Sequence, residues 1–353
     1  MNSFITLQNL ILFLENYDAS MNILRQLAHK PVIALLPCLW LWVAVFGCLP
    51  ANAQITFTAS EMFAVIGEYS QEYISTNTNP STMIGPTGGP QVWDFSQAPP
   101  QDYVRRLDIV LPTDGGHQAS FPNATYAERY TDEVSIFQEW DYYNLPTNAG
   151  RIYYGTYDTN GGAVVWSPPG TDIPAIVGYG SNWSYNLTTT SIPPYTFNDT
   201  VTAGVDAYGT VVLPQIGQVQ ALRVNELTEE QELIDSFPVE TYYIREYFWL
   251  VPGIGKVVDI VSDTSSTQPP ANFTSAYEVR RVFEASPAGL QIQVQNGLAI
   301  LNWLPATGVP GYQVQGIGDL STTNRQILAS PSSNSWSEAA TAAQRFYHVF
   351  IEP

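Results

Sequence analysis

Four acids crowd a short aromatic stretch: Asp132, Glu133, Glu139 and Asp141 flank Trp140, Tyr142 and Tyr143. Two carboxyl groups a few ångströms apart are enough to hydrolyse a glycosidic bond, and aromatic rings beside them would stack on the sugar. A carboxylate-dependent glycosidase is therefore one reading. The plainer one is a strand from Ile136 to Tyr143 with its aromatics inside and its acids outside, and no single acid pair stands out. His117 and His348 are the histidines beyond residue 54. A Ser-His-Asp arrangement needs one of them oriented by a carboxylate and touching a nucleophile. His117 follows Gly115-Gly116 in a loop, and His348 sits in the strand Phe346-Tyr347-His348-Val349 as a surface or strand-pair residue. Neither has a nucleophile elbow nearby, and no His-x-x-x-His points to zinc. Asp158-Thr159-Asn160-Gly161 has the composition of a calcium loop but lacks the terminal Glu of one, and a hairpin turn explains it. The sequence predicts no catalytic residue, no metal ligand and no cofactor.

The first part of the chain says where such chemistry would take place. Arg25, His29 and Lys30 form a basic patch ahead of the apolar run Val32 to Phe46, and Pro50 and Ala51-Asn52-Ala53 then precede Gln54. This is the layout of a signal peptide at about 21–53, cleaved near Ala53-Gln54. The apolar run is shorter than the roughly 20 residues that span a bilayer, so no transmembrane span is expected in the mature chain. Glu15 and Asp18 make residues 1–20 a poor basic region, which favours Met21 over Met1 as the start. Val45-Phe46-Gly47-Cys48 is similar to a lipoprotein box, but bulky Phe46 stands where a small residue is usual, and the Ala-x-Ala site is preferred. Cys38 and Cys48 both fall in the leader, leaving the mature protein without disulfide or thiolate.

About 300 residues remain, enough for two domains. Charged residues are only 13% of the chain, while Tyr (21), Trp (9), Gly (25) and Pro (26) are abundant, which favours pleated, half-buried surfaces joined by turns. The net charge of −19 and a lone lysine after the leader, Lys256, exclude nucleic acid and anionic membranes as partners, since both need basic patches.

The elements that would position a site are strands. Arg151 to Tyr157 and Ala163 to Trp166 flank an Asp/Asn/Gly cluster as a hairpin. Gly209 to Leu213 pairs with Val219 to Val224 around Pro214 and Gly217, and Glu240 to Leu250 turns at Val251-Pro252-Gly253-Ile254-Gly255 into Lys256 to Val261. Tyr103 to Leu111 and Thr274 to Phe283 read as further strands. Asn225 to Asp235 is rich in helix formers behind a possible N-cap, but the long strands beside it favour an acidic hairpin loop.

Beyond Glu284-Ala285-Ser286-Pro287 the pattern changes. Pro287-x-x-Leu290, Leu301-Asn302-Trp303 with Pro305, Gly311-Tyr312-x-Val314 and Phe346-Tyr347-His348-Val349 resemble a fibronectin type III module. That resemblance implies a sandwich with the Trp between two sheets and a spacer or contact role, its final strand missing. In the larger region, Trp93-Asp94-Phe95-Ser96, Gly180-Ser181-Asn182-Trp183, Asp206-Ala207-Tyr208-Gly209-Thr210, Leu222-Arg223-Val224 and Tyr247 to Gly255 resemble a family of uncharacterised secreted bacterial proteins. The last three are also similar to periplasmic half-barrels, of which lipoprotein carriers are the best known, and that likeness implies a concave sheet around an apolar ligand.

The expected architecture is mainly β: a leader at 1–53, a curved antiparallel sheet or sandwich at 54–284, and a shortened fibronectin-type sandwich at 285–353. The expected function is non-enzymatic binding or surface association outside the cytoplasm, secreted, at the cell surface or in the periplasm. The ligand would be a glycan, a cell-surface component or an apolar small molecule. Trp183, Tyr247, Trp249 and Trp140 are the candidate ligand-binding residues. A half-barrel carrier or sensor of a lipid-like ligand and a glycosidase are the alternatives.

Overall fold

The computed structural model describes residues 55–97, 99–135, 138–192, 195–318, 325–341 and 344–352. The leader reading, with Cys38, Cys48 and the Ala53-Gln54 site, lies outside them. The strands of the larger region are β1 (Thr56–Thr58), β2 (Tyr69–Thr78), β3 (Gly88–Asp94), β4 (Tyr103–Val110), β5 (Tyr126–Asp132), β6 (Gln138–Asn144), β7 (Arg151–Asp158) and β8 (Gly162–Ile173). They continue as β9 (Ile176–Gly178), β10 (Asn182–Ile192), β11 (Tyr195–Leu213), β12 (Gly217–Ile234), β13 (Phe237–Val251), β14 (Gly255–Ser262) and β15 (Ala276–Ser286).

The fold is mainly β, and its curved antiparallel sheet closes on itself. The order runs β10-β8-β7-β6-β5-β4-β2-β15-β14-β13-β12-β11, and β11 returns to β10, giving a barrel of twelve strands. Closure rests on the long β10–β11 hairpin, paired from Asn182↔Gly204 to Ile192↔Tyr195, and on Thr189↔Trp166 between β10 and β8. The hairpins read from the sequence are present as β7–β8, β11–β12 and β13–β14. The stretch Asn225 to Asp235 corrects the loop reading: through Ile234 it is the second half of β12, paired to β11 on one side and β13 on the other. Two full ladders of backbone hydrogen bonds outweigh the weak helical preference of its Glu and Gln residues.

One end of the barrel is closed by apolar packing. At the closed end β1 pairs with β9, and Phe57, Met62, Ile173, Val177, Leu222 and Leu250 pack into an apolar plug. At the opposite end lie the turns after β7 and β12. β3 pairs in parallel with the second half of β11, beyond the stretch that pairs with β10. It comes so close at Gly209 that a Cβ there would sit 2.0 Å from the Gln91 carbonyl oxygen. The outer face of β10–β12 carries exposed Asn182, Ser184, Asn186, Thr200, Thr202 and Glu229, a polar surface rather than the apolar band of a lipid-facing barrel. Among the described residues no helix is long and apolar enough to cross a membrane.

The chain ends in β16 (Gln291–Gln295), β17 (Leu298–Asn302), β18 (Gly311–Ile317), β19 (Gln326–Ala329), β20 (Ser335–Ala339) and β21 (Phe346–Glu352). They form two three-stranded sheets, β16-β17-β20 and β19-β18-β21. Leu301, Trp303, Tyr312, Val314, Val349 and Ile351 are buried here, with the Trp303 ring edge-on to Tyr312 at 5.2 Å.

Candidate functional site

In an antiparallel strand alternate residues face opposite ways, so the register of the ladders fixes which side chains enter the barrel. Glu139, Asp141 and Tyr143 of β6 stand opposite Tyr130, Glu128 and Tyr126 of β5, and all face the lumen. On the far wall Glu226 of β12 pairs with Glu246 of β13, Phe248 pairs with Asp259 of β14, and Asp259 with Arg280 of β15. The result, above the apolar plug, is a layer of charge inside the barrel. A cavity of about 230 Å³ remains in it, walled by six carboxylates, three cations and the rings of Tyr130, Tyr143, Tyr153 and Tyr185. A smaller space of about 50 Å³ shares Glu128, Arg151, Lys256, Asp259 and Arg280 with it and adds Glu72.

Each lumen cation is already paired. Arg151 is fully buried and reaches Glu128 at 2.8 Å and Asp172 at 2.5 Å, with its guanidinium 4.2 Å from the Tyr143 ring centre. Arg105 donates to Asp132 at 2.8 Å and to Glu278 at 3.1 Å. Arg280 is bonded to Glu278 and stands 3.8 Å from Asp259. Lys256 holds Glu246 at 3.0 Å and sits 4.0 Å from the Phe248 ring centre. The acids outnumber these partners. Among the described residues Glu72 and Glu226 form no ion pair, and Glu72 Oε2 and Asp259 Oδ1 are buried without a hydrogen-bond partner.

The acids therefore divide into two kinds. Burial, reinforced by Glu246, pushes the Glu226 and Asp259 carboxyls up to about 8. Burial also raises Glu72, and burial with the neighbouring charges of Glu139 and Glu128 raises Asp141. Glu246 goes the other way: burial works against its charge, but the Lys256 ammonium overrides burial and holds it below the usual range. At neutral pH the lumen combines ionised pairs with carboxyls kept in their protonated form.

The residues singled out in the sequence are spread over both faces of the wall. Trp183 lines the inside of β10, half-buried, and its Nε1 donates to the Asp172 carbonyl at 2.9 Å. Tyr247 and Trp249 face outward from β13 beneath the segment bearing Trp93 and Phe95, where the Trp249 ring meets Trp93 at 5.7 Å and Phe95 at 5.1 Å. Tyr247 donates its hydroxyl to the Ala271 carbonyl at 3.0 Å. Trp183 is thus separated from the other two by the sheet. Trp140 and Tyr142 also lie outside, packed with Phe121 and Ala124, and His117 stacks on Tyr157 at 3.4 Å.

This inverts the expected orientation of β6. Its acids are inside with Tyr143, and the aromatics Trp140 and Tyr142 are outside. Asp132 joins the lumen through Arg105, while Glu133 accepts from the Val104 amide at 3.0 Å.

His348 is a bridging residue. Its Nε2 lies 2.5 Å from the Tyr69 hydroxyl and 3.1 Å from the buried Glu284 carboxylate, tying β21 to β2 and β15. Burial favours the neutral form of Glu284, but the hydrogen bond and charge of His348 hold its carboxyl low.

Sequence reasoning missed Glu72, Glu128, Arg151, Glu226, Glu246, Lys256, Asp259 and Arg280. The signal was available in part: Glu226-x-Thr228-x-Glu230-x-Glu232 and Glu278-x-Arg280 place charged or polar residues at every second position, the period of one strand face. Among the described residues no group of three or more His, Asp or Glu side chains is arranged to hold a metal ion. No protein-family model matches the chain, and neither a curated protein nor a solved structure matches it.

Proposed function

We propose that this protein is an exported, non-enzymatic binding protein that takes a small polar ligand into the lumen of its barrel. One observation carries the reading: a twelve-strand barrel, sealed at one end, keeps a cavity of about 230 Å³ lined by buried carboxyls with unused hydrogen-bonding capacity. Uncompensated buried acids are costly unless something joins them. The volume is below the roughly 300–1,000 Å³ of sites for drug-sized molecules, which favours a compact ligand.

The charge layer speaks against a lipid-like cargo, because the apolar part of the interior is already filled by the plug. Glycoside hydrolysis is weaker on different grounds. It needs one carboxyl raised and its partner ionised, whereas Glu139 and Asp141 are both pushed up.

Native mass spectrometry of the protein recovered from its exporting host tests the reading. The expected result is a small-molecule adduct that is lost on denaturation. Val201→Trp, opposite Tyr185 inside the barrel, should abolish the adduct, and Thr200→Trp on the outer face should keep it. Retention by both variants, or no adduct from the unaltered protein, overturns the proposal.

A further inference from the structure

We infer that the lumen ligand is a small organic cation, an ammonium or amidinium compound, bound between Asp259 and Glu226 under the rings of Tyr153 and Tyr185. This rests on the lumen-binding reading and adds the chemical class of the ligand. Three observations lead to it.

The first is the inventory of titratable groups on the cavity wall, six carboxyl groups to three cations. The three cations are occupied: Arg151 by two acids, Lys256 by Glu246, and Arg280 by Glu278 and Asp259. An anionic ligand would have to break one of these pairs and would add to the acid excess. A cation breaks none.

The second is an acceptor with nothing to accept. Asp259 is only 6% exposed, lines both spaces, and its Oδ1 has no donor. Glu72, also 6% exposed, presents a second such oxygen to the smaller space. A buried carboxyl oxygen without a partner costs about 1–3 kcal/mol, and an N–H from an ammonium group would satisfy it.

The third is the aromatic wall. Tyr143, Tyr153 and Tyr185 border the same cavity as Asp141, Glu226 and Asp259. Faces of aromatic rings attract cations, and do so more strongly away from water. The chain already uses this within the lumen, where Arg151 lies over Tyr143 and Lys256 over Phe248.

Binding should release protons. Glu226 and Asp259 are held neutral by burial, and a cation beside them favours the ionised forms. The charged groups facing this pair are Glu246 of β13, Lys256 of β14, Glu278 and Arg280 of β15, and Asp172 of β8. The three cationic and acidic partners closest in the network, Lys256, Glu246 and Arg280, stay paired throughout.

Isothermal titration calorimetry with 1,4-diaminobutane tests the inference, beside two controls of equal length, neutral 1,4-butanediol and the dianion succinate. The diamine should bind at one site at least tenfold more tightly than either control, with an enthalpy that differs between HEPES and phosphate buffers because protons are released. Glu226→Gln and Asp259→Asn should each weaken it about tenfold while circular dichroism and the unfolding midpoint stay in place. If the diol or succinate binds as tightly as the diamine, and Val201→Trp removes that binding, the cation is wrong and the lumen site stands. Diamine binding that survives all three substitutions is surface ion pairing, which overturns the inference. If no probe binds, the cation is again wrong, and the lumen reading is decided by the mass-spectrometric adduct alone.

Discussion

The barrel and the terminal sandwich are both made of alternating strands, yet they fill their interiors in opposite ways. Between the sheets of the sandwich lie Leu301, Trp303, Tyr312, Val314, Val349 and Ile351. Inside the barrel, above the plug, lie Glu72, Glu128, Arg151, Glu226, Lys256 and Asp259. The difference follows from size. Two facing sheets stand about 10 Å apart, a gap that apolar side chains fill completely. A barrel of eight strands is just filled by its own side chains, and twelve enclose more room than side chains occupy. Charge and space can then coexist inside the barrel, and the apolar covering moves to the outside, where Trp93, Phe95, Trp140, Tyr247 and Trp249 are buried against the wall.

The largest effect should come from the ion-paired layer. Arg151→Leu leaves Glu128 and Asp172 without their cation, and breaking a buried pair from one side costs about 3–5 kcal/mol. Urea unfolding followed by circular dichroism reads this directly. A loss under about 1 kcal/mol would mean that the lumen is wet enough to screen its charges, and the contrast with the sandwich would weaken.

In the sandwich the comparable change is loss of bulk. Leu301→Ala should cost about 3 kcal/mol through lost transfer energy and the cavity left behind. The same denaturant series measures it, and the proposed lumen ligand should neither worsen nor relieve it.

The smallest effect separates the two regions by pH. Glu226 and Asp259 rise to about 8 in the folded barrel from an ordinary value near 4. A raised carboxyl contributes stability that is complete below the unfolded value and is lost as pH climbs through the folded one. Glu246, Glu278 and Glu284 are held low and act in the opposite sense, losing their contribution as pH falls below about 4. Thermal unfolding should therefore be most resistant near pH 5 and should weaken steadily toward pH 9. Glu226→Gln should stay within about 0.5 kcal/mol of the parent at pH 4 and exceed it by a growing margin from there to pH 9. A flat profile above pH 6 would show that these carboxyls are ionised already.

Much of the β architecture was legible in the sequence because its signals are local. Asp158 to Gly162 and Val251 to Gly255 are turn residues between β-prone runs, and both mark real hairpins. Barrel closure is not local: β10 meets β11 in an adjacent hairpin, but β15 must return to β2, from Ala276↔Thr78 to Ser286↔Tyr69, and Thr189 of β10 must meet Trp166 of β8. The site was less legible, for a related reason. Alternation assigns residues to two faces without saying which face is the inside. For β6 the ordinary expectation that aromatics point inward gives the wrong answer, because a loop from residue 111 to 124 covers the outer face. Lys256 was visible as the lone lysine beyond the leader, but its partner Glu246 becomes apparent only once the β13–β14 ladder sets their register.

The pairing of β1 with β9 over the apolar plug makes the barrel a cup and not a tube. With that end filled, the proposed ligand would enter and leave by the opposite end alone, and its exit would retrace its entry. Obstructing the rim at the tips of the hairpins, away from the bound molecule, slows loading and unloading by the same factor. Such a change sets how long the cup stays full and leaves the dissociation constant as it was.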